Sequence, residues 1–278
     1  MTAFLRISIV CYASDKRELW RTLHSLQRSC EEAINRGYLK SAELMLVDNG
    51  PGPLERKKID ALLGRLPDLV SAPLRCFVLG DGTNIGFGRG HNLTFDVSAC
   101  DFHLVLNPDT ELTLDAVSCA LQFMRDNDAC GALAPSVVNL SGEREYLCKR
   151  YPALFDFFLR GFAPHWLRKK NTQRLAYYEM RDMPSQAVYW DPPIIGGCFM
   201  LLRSSVLEKI AGFDPDYFLY FEDFDLSLRV AEVSRIAYVP TVKIMHAGGG
   251  AARKGLRHIW LFSRSAFTFF NRHGWRLY

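Results

Sequence analysis

The stretch "FLRISIVCY", residues 4–12, predicts a buried β-strand. Leu5, Ile7, Ile9 and Val10 are β-prone apolar residues that lie close together within it. A short run of this kind is typical of a strand in a parallel sheet, which helices cover on both faces. The elements that follow it along the chain are therefore decisive for the fold.

Strand and helix patterns alternate after this first run. Residues 15–36 place leucines near helical spacing, and Gly37 would end that helix. Residues 88–98 suggest another helix. Three further runs predict strands: "AELMLVDNG" (42–50), "LRCFVLG" (74–80) and "FHLVLNPD" (102–109). Alternation of this kind indicates parallel βαβ units, so the predicted class is α/β, with a mostly parallel central sheet and helices on both faces.

Polar and glycine-rich segments follow the predicted strands. Asp48-Asn49-Gly50 ends the second strand, residues 84–92 follow the third, and Asn107-Pro108-Asp109 ends the fourth. Ligands of parallel α/β sheets collect at the carboxyl ends of the strands. We therefore expect these three segments to meet at one edge of the sheet and form a site.

The alternation stops after residue 139. Residues 140–195 are rich in aromatic residues, basic residues and prolines, and we interpret them as an insertion that shapes a pocket. Regularity returns with "GGCFMLLR" (196–203) and continues to a basic tail with a helical pattern. We predict one continuous domain in three parts: 1–139, 140–195 and 196–278.

The composition argues against several classes of protein. A net charge of +4 over 278 residues is too small to indicate nucleic-acid binding by itself. The eight cysteines stand singly without a CxxC pair, so zinc ribbons and dithiol redox sites have no support. Single buried thiols are typical of a reducing cytoplasm. No cleavage pattern and no run of about 20 apolar residues occurs, so we predict a cytoplasmic protein.

The stretch "NIGFGRGHN", residues 84–92, carries three glycines but no standard nucleotide motif. His91 stands where the dinucleotide fingerprint needs its last glycine, and no Gly-Lys-Ser/Thr follows for a P-loop. A glycine-rich turn could still bring backbone N–H groups near a phosphate, with Arg89 adding charge. The alternative is a tight turn that needs flexible residues.

Two further segments suggest ligands for a cation. In "LNPDTE" (106–111), Asp109 follows a strand and could hold a divalent cation, although Asn-Pro-Asp is also a good turn. In "MHAGGG" (245–250), His246 precedes three glycines near a strand end. Either a structural role or a role in binding metal or phosphate is open for His246.

The stretch "FEDFDLSLR", residues 221–229, contains three acids that helical spacing separates. Asp225 and Arg229 are four apart and can pair on one helix face. Glu222 and Asp223 stand at the helix start, where the helix dipole favours acids. The aromatic residues before them would also desolvate a carboxylate and raise its pKa, making it a better general base. Both interpretations of Glu222 and Asp223 are open on these residues alone.

The ordered set "SIVCY", "LVDNG", "NIGFGRGHN", "LNPDTEL", "IIGGCFMLLR", "GFDPDYFLYFEDFDLSLR" and "YVPTVKIMH" resembles bacterial family 2 glycosyltransferases of the GT-A fold, closest to rhamnosyltransferase-like members. The resemblance runs from about residue 5 to residue 247. It implies that Asp223 is the general base, with Glu222 beside it at the acceptor, and that Asp109 and His246 bind the metal. The residues implied at the nucleotide sugar are Cys11, Tyr12, Asp48, Asn84, Gly86, Arg89, Asn107 and Gly197. Asn107 departs from the family pattern, which has Asp at that position.

The implied reaction is glycosyl transfer with inversion. One carboxylate takes the proton of the acceptor hydroxyl, and a divalent cation, Mg²⁺ or Mn²⁺, stabilises the departing diphosphate. The resemblance implies dTDP-L-rhamnose as donor, with UDP- and GDP-hexoses still open. It implies a lipid-linked or lipopolysaccharide-type saccharide as acceptor.

Two other functions fit parts of the sequence. A nucleotidyltransferase on a similar sheet would also need an acid at a strand end, but not the Glu-Asp pair. A module binding anionic membrane could use the C-terminal segment, which has no acid from Ala247 onward. Its aromatic and basic residues are Trp260, Phe262, Phe267, Phe269 and Phe270 with Arg257, Arg264 and Arg272. The alternative is that these aromatic residues pack on the domain; we interpret any contact with the inner face of the cytoplasmic membrane as an accessory to catalysis.

Overall fold

The computed structural model of the protein describes residues 2–65, 74–95, 100–248 and 255–278. Within these ranges the chain forms one mixed sheet of ten strands. The strands are β1 (Ala3–Cys11), β2 (Leu39–Asp48), β3 (Leu74–Leu79), β4 (Phe102–Leu106), β5 (Thr110–Leu112), β6 (Cys130–Val138), β7 (Arg144–Glu145), β8 (Tyr189–Trp190), β9 (Phe199–Arg203) and β10 (Arg235–His246).

Ten helices of the described residues surround this sheet. They are α1 (Lys16–Asn35), α2 (Pro53–Leu63), α3 (Phe87–Asn92), α4 (Ala116–Asp126), α5 (Leu154–Gly161), α6 (His165–Lys170), α7 (Thr172–Tyr178), α8 (Ser204–Lys209), α9 (Glu222–Val233) and α10 (Leu256–His273). Among the described residues, none of these helices combines the length and apolar character that crossing a membrane requires.

The order of the strands confirms the predicted α/β class. The sheet runs β3-β2-β1-β4-β9-β6-β10-β5, with β7 beside β6 and β8 beside β10. The pairs from β3 to β4 are parallel, as is β6 with β10. Strand β9 lies antiparallel between β4 and β6, a reversal that the sequence patterns did not predict.

The register of the sheet brings the strand ends together. Cys11 of β1 lies opposite Asp48 of β2, and Ile9 lies opposite Leu106 of β4. Leu5, Ile7 and Ile9 on one face of β1 are at most 1% exposed, and Arg6 and Ser8 on the other face are 0% exposed, so both faces of β1 are covered. The predicted convergence of the segments after β2 and β4 at one edge is confirmed.

Helix α1 follows the prediction closely. The Asp15 side chain accepts hydrogen bonds from the N–H groups of Arg17 and Glu18, which caps the first turn. The helix ends before Arg36 and Gly37, and Gly37 has a φ of +75° that favours glycine. The helix predicted over 88–98 is shorter: α3 ends at Asn92, and residues 96–98 lie outside the described residues.

The segment 140–195 contains helices α5, α6 and α7, although its sequence has no clear periodicity. Helix α5 packs through Phe157 on an aromatic cluster that includes Phe221, Phe269 and Phe270. The backbone N–H of Leu154 also donates to the carbonyl of Arg276. These long-range contacts fix the helices, because local sequence alone does not specify short helices of six to eight residues.

The C-terminal aromatic residues divide into two groups. Phe269 and Phe270 are fully buried, and Phe262 packs against the same cluster, so these three are not available to a membrane. Trp260 and Phe267 are each 59% exposed. Arg272 pairs with Asp214 and Asp216 and is likewise engaged by the protein. The surface expected from the sequence is therefore reduced to part of α10. The same acid-free segment also contains Arg253 and Lys254, which lie outside the described residues.

Candidate active site

The end of β2 is joined to the loop before α3 by Asn49, which the sequence analysis placed in a strand-end segment without giving it a role of its own. Its amide nitrogen donates to Asn84 Oδ1 at 3.1 Å, and its Oδ1 accepts from the N–H of Ile85 at 2.9 Å. Asp48 is 3% exposed, and its Oδ1 accepts from the N–H of Gly50 at 3.1 Å. Asp48 and Asn84 therefore lie at the ends of two segments that one buried amide holds together.

The glycines of "NIGFGRGHN" allow close packing against other parts of the protein. A Cβ on Gly86 would stand 2.4 Å from the carbonyl oxygen of Phe218, and the φ of Gly86 is +95°. A Cβ on Gly88 would meet the Phe213 side chain at 2.9 Å. The third glycine of the stretch, Gly90, is similarly close to Val10. Glycine is required here by the approach of a second segment.

Three of the backbone N–H groups that lead into α3 already have acceptors within the protein. The N–H of Gly86 donates to Asn84 Oδ1, and the N–H of Phe87 donates to the carbonyl of Phe218. With Ile85 bonded to Asn49, three successive N–H groups have protein acceptors and are not free for a phosphate. Arg89 donates through Nε to the carbonyl of Pro215 at 2.7 Å, on the same neighbouring segment.

Cys11 and Tyr12 differ in what they could offer a ligand. The Cys11 side chain is fully buried in the core, and burial raises the pKa of its thiol to about 12. The expected contact of Cys11 with a nucleotide therefore does not extend to its side chain, because core residues surround it. Tyr12, the next residue, is 45% exposed.

Asp109, which follows β4, faces His246, the last residue of β10. Their atoms Oδ1 and Nε2 are 3.3 Å apart, and both atoms are buried without a hydrogen-bond partner. Burial opposes the charged form of His246, but the adjacent carboxylates of Asp109 and Glu145 outweigh it and raise the pKa of His246. The imidazole therefore lies between two carboxylates.

This pair fits a divalent cation whose other ligands come from a substrate. Adjacent ligand atoms stand ~3 Å apart in octahedral Mg²⁺ or Mn²⁺ sites, close to the observed separation. No set of three or more His, Cys, Asp or Glu side chains in the described part of the chain could hold a metal ion. Phosphate oxygens and water commonly complete such sites.

Glu145 is a residue of this site that the sequence analysis missed. It lies on β7, and its Oε2 is 3.4 Å from Nδ1 of His246. Histidines that bind metal usually donate their other ring N–H to a carboxylate, which fixes the ring. Glu145 therefore directs Nε2 of His246 towards Asp109. No local sequence pattern predicts this contact, because Glu145 and His246 are 101 positions apart.

Asp223, the expected general base, stands at the start of α9. Its Oδ2 accepts from the N–H of Gly197 at 3.0 Å, and its Oδ1 accepts from the N–H of Phe224 at 3.0 Å. Burial raises the pKa of Asp223, although these N–H groups lower it in part. The carboxylate is thus held in one orientation with a raised affinity for a proton, which suits a general base.

Glu222 is more deeply enclosed than Asp223. The residue is 5% exposed, and its Oε2 has no hydrogen-bond partner. Burial, and then the charge of Asp223, raise the pKa of Glu222. The two acids titrate as a pair, so the first of the two to ionise favours the protonated form of the other.

Asp225, the third acid, has a structural role. Arg229 Nε donates to its Oδ2 at 2.7 Å, which confirms the pairing predicted from the spacing. His273 of α10 contacts its Oδ1 at 2.8 Å, a contact that the sequence analysis missed. Asp225 is 1% exposed and ties the start of α9 to the C-terminal helix.

The segment before β9 links the two halves of the site. Gly197 holds Asp223 through its N–H, while the next carbonyl, that of Cys198, accepts from the N–H of Asn107 at 3.0 Å. Asn107 lies two residues before Asp109, and its Oδ1 is buried without a partner. One short backbone segment therefore joins the candidate base to the candidate cation site.

A cavity of about 480 Å³ opens next to the two acids. Helix α5, the start of α9 and the start of α10 form its walls. The residues are Phe157, Arg160, Gly161, Phe162, Tyr220, Phe221, Glu222, Asp223, Phe224, Gly255, His258, Ile259 and Phe262. Its size lies in the range of small-molecule sites, about 300–1,000 Å³.

Comparison with curated proteins identifies relatives over most of the chain. No protein-family model matches. The chain is 26% identical to an N-acetylglucosaminyl-diphospho-decaprenol L-rhamnosyltransferase of Mycobacterium tuberculosis, over 99% of this chain and 87% of that protein. It is also 26% identical to rhamnosyltransferase WbbL of Escherichia coli K12, over 58% of this chain and 60% of WbbL.

Two solved structures share the fold. Mannosyltransferase PcManGT from Pyrobaculum calidifontis, in complex with GDP-Man and Mn²⁺, matches with a TM-score of 0.59 and 14% identity, over 99% of this chain and 76% of that one. GalNAc-T7 with UDP, GalNAc and Mn²⁺ matches with a TM-score of 0.61 and 13% identity, over 89% of this chain. The match spans 43% of GalNAc-T7, less than half of its length.

Proposed function

We propose that this chain, a glycosyltransferase with the GT-A fold related to bacterial family 2 rhamnosyltransferases, transfers L-rhamnose with inversion from dTDP-L-rhamnose to a saccharide acceptor. The observation that carries the proposal is the segment Gly197–Cys198. It holds a carboxylate with a raised pKa on one side and contacts the cation-site loop at Asn107 on the other. Transfer needs a base and a charged leaving-group site within reach of one sugar.

Asp223 is the general base of the proposed reaction. Its carboxylate takes the proton of the acceptor hydroxyl as that oxygen forms a bond to the anomeric carbon of the donor sugar. The bond from the same carbon to the diphosphate breaks, and nucleoside diphosphate leaves with its electron pair. A single carboxylate is enough because direct displacement forms no covalent sugar intermediate.

Asp109 and His246 are the proposed protein ligands of a divalent cation, Mg²⁺ or Mn²⁺. The cation supplies Lewis-acid stabilisation of charge on the departing diphosphate. The chain's part is to hold the two ligands in position, with Glu145 fixing the ring of His246. Relatives in fold were crystallised with Mn²⁺.

The donor is proposed from the relatives and from the strand-end residues. The proteins from M. tuberculosis and E. coli are both named rhamnosyltransferases, whereas the two structural relatives contain UDP or GDP-Man. We assign Asp48, Asn84, Asn107 and Gly197 to the nucleotide sugar, together with Tyr12, Gly86, Arg89 and the backbone of Cys11. UDP- and GDP-sugars are the alternatives to be compared with dTDP-L-rhamnose.

The acceptor proposed is a lipid-linked or lipopolysaccharide-type saccharide. The relative from M. tuberculosis is named for a sugar on a diphospho-lipid. In this assignment residues 1–139 bind the nucleotide sugar, 140–195 form the acceptor side, and 196–278 supply the base. Phe157, Arg160 and Phe162 of the middle segment line the cavity beside Asp223, in agreement with this division.

We also propose that α10 contacts the inner face of the cytoplasmic membrane. Trp260 and Phe267 are exposed on this helix beside the exposed Arg257 and Arg264, a combination suited to anionic headgroups. Deleting α10 would uncover Phe269 and Phe270, so point changes are the better test. W260S together with R264S should reduce co-sedimentation with vesicles containing phosphatidylglycerol, and unchanged co-sedimentation would contradict the contact.

The decisive experiment compares D223N with D126N. Asp126 is an exposed carboxylate of α4 paired with Arg125, so D126N controls for the loss of one charge. D223N should abolish transfer to the acceptor, while dTDP-L-rhamnose with Mn²⁺ should still raise the melting temperature of both variants. Normal turnover by D223N would refute the base assignment. Release of pyrophosphate instead of nucleoside diphosphate would favour the nucleotidyltransferase alternative.

A further inference from the structure

The cavity beside Asp223 has two chemically different regions. Glu222 and Asp223 form an acidic wall at the start of α9. The second region contains the basic side chains that line the cavity, the cationic Arg160 of α5 and the imidazole of His258 of α10. A ligand that fits both regions would need a neutral hydrogen-bonding end and an anionic end.

Arg160 is available for contact with a ligand. Its side chain is 44% exposed, and its ion pair with Glu179 is long, with Nε and Oε1 3.6 Å apart. The guanidinium stands 5.7 Å from the centre of the Tyr178 ring, which steadies it without using all of its donors. Arginine offers a planar set of five donors that suits phosphate oxygens.

The start of α10 adds positive potential to the same cavity. Gly255, His258 and Ile259 of this first turn line it. The helix has 18 residues, and within the described part of the chain it has no acid in its first turn and no side chain that caps its first N–H groups. The N-terminus of such a helix carries roughly half a positive charge, which attracts anions. Helices α5 and α10 meet at Phe157 and Phe262, whose ring centres are 5.2 Å apart.

The acidic wall independently indicates a missing partner. Glu222 lines the cavity and is 5% exposed, and its buried Oε2 has no hydrogen-bond partner. A buried polar atom without a partner costs about 1–3 kcal/mol, which a ligand hydroxyl would recover. The aromatic walls also suit sugar rings and hydrocarbon chains.

We infer that this cavity binds an acceptor in which a sugar is joined through a diphosphate to a lipid, with Arg160 and the start of α10 forming the anion subsite. The sugar hydroxyl lies at Glu222 and Asp223, and the diphosphate lies at Arg160. The hydrocarbon chain leaves past Phe162 and Ile259, which line the cavity and are 62% and 43% exposed. This inference rests on the proposed function. It goes beyond that function because it assigns the recognition of the acceptor's charge to Arg160 and the start of α10.

The test uses farnesyl diphosphate as a probe of the subsite, without donor or turnover. Farnesol and inorganic pyrophosphate separate the contributions of the chain and of the charge. The wild-type protein should bind farnesyl diphosphate more tightly than either, as measured by isothermal titration calorimetry. R160A should bind it about 10- to 100-fold more weakly, the range for one lost charge-assisted contact, and R160K should recover part of the affinity.

R125A is the matched control for R160A. Arg125 is 45% exposed, pairs with one carboxylate, Asp126, and stands over one tyrosine ring, that of Tyr38. R125A should bind farnesyl diphosphate as the wild type does, and both variants should keep the wild-type melting temperature. Wild-type affinity in R160A, or equal binding of farnesol and farnesyl diphosphate by the wild type, would overturn the inference.

Transfer assays separate this inference from the function on which it rests. We expect R160A to raise KM for a diphosphate-linked acceptor about 10-fold or more while KM for a neutral sugar glycoside stays unchanged. Equal use of both acceptors by the wild type would keep the glycosyltransferase proposal and remove the subsite. Tight, Arg160-dependent binding of farnesyl diphosphate without any sugar transfer would keep the subsite and remove the proposed reaction.

Discussion

The N–H of Gly197 donates a hydrogen bond of 3.0 Å to Oδ2 of Asp223, across 26 residues of sequence. The carboxylate is therefore oriented by the backbone that precedes β9. The space around Gly197 allows a small side chain, since a Cβ there would lie 3.4 Å from Asp223 Cβ and 3.5 Å from Phe87. The orientation of Asp223 depends on the N–H at position 197 and not on the lack of a side chain there.

The pH dependence of transfer should reflect the raised pKa of Asp223. The base acts in its ionised form, so kcat/KM should fall as pH decreases through a value above the ordinary aspartate pKa of about 3.9. G197A keeps the N–H and should keep the position of this acid limb. A profile that stays flat down to pH 4 would contradict the assignment of Asp223.

The two neighbouring acids should respond differently to amide substitution. Burial, and then the charge of Asp223, raise the pKa of Glu222, so Glu222 is the acid that stays protonated when Asp223 ionises. E222Q resembles this protonated form and should keep transfer within about 10-fold of the wild type. E222A removes the hydrogen-bonding end and should lose more. Equal inactivity of E222Q and D223N would contradict this division of roles.

The difference in stability between E222Q and the wild type should depend on pH in a defined direction. The folded state holds a proton on Glu222 at pH values where the unfolded state, with a pKa of about 4.3, has released it. The wild type therefore loses stability as pH rises from about 4.3 towards the higher pKa that Glu222 has in the folded state. E222Q lacks the titration and should gain roughly 1–3 kcal/mol over the wild type between pH 5 and pH 8. Urea unfolding at both pH values measures the difference.

Gly86 should tolerate alanine less well than Gly142. Both residues have positive φ, +95° and +79°, so alanine strains the backbone at each by about 1 kcal/mol. Only at Gly86 would the new Cβ also meet a backbone oxygen, that of Phe218, at 2.4 Å. G86A should therefore lower the free energy of unfolding by several kcal/mol, about 3 or more, and G142A by about 1. Equal losses in urea unfolding would contradict the close packing of the two segments.

Removing Asp225 should destabilise the protein far more than removing an exposed acid. D225A leaves Arg229 without its buried carboxylate and breaks the contact with His273, so we expect a loss of about 3–5 kcal/mol. D191A breaks the exposed pair with Arg235 and should cost about 1 kcal/mol or less. Urea unfolding of the two variants gives the comparison. A D225A loss as small as that of D191A would show that the α9–α10 connection does not depend on this acid.

Glu145 should affect the affinity for Mn²⁺. E145Q removes the carboxylate that orients His246, and changes of this kind typically weaken metal binding 10- to 100-fold. Glu143, an exposed acid of the preceding turn bonded to Asn139, provides the control variant E143Q. Titration of Mn²⁺ in the presence of dTDP, followed by electron paramagnetic resonance, measures binding without turnover. Equal affinity of E145Q and E143Q would contradict the orienting role.

The sequence by itself determined the parallel part of the sheet and the edge at which the strand-end segments after β2 and β4 meet. Apolar β-prone runs such as residues 4–12 must be buried on both faces, and parallel strands bring the residues after β2 and β4 to one edge. The pair Asp225–Arg229 was also predictable, because residues four apart meet on a helix. These features follow from local periodicity, which can be recognised from the order of neighbouring residues.

The tertiary structure alone decided the contacts between distant segments. The bonds of Gly197 to Asp223 and of Glu145 to His246, and the approach of Phe218 to Gly86, join residues without a shared local pattern. The turn at "NIGFGRGHN" illustrates the difference. Three glycines were predicted to approach a phosphate or to allow a tight turn, but at Gly86 the chain closes against the carbonyl of Phe218. Which surface a glycine meets depends on packing between segments far apart in sequence, and periodicity carries no information about it.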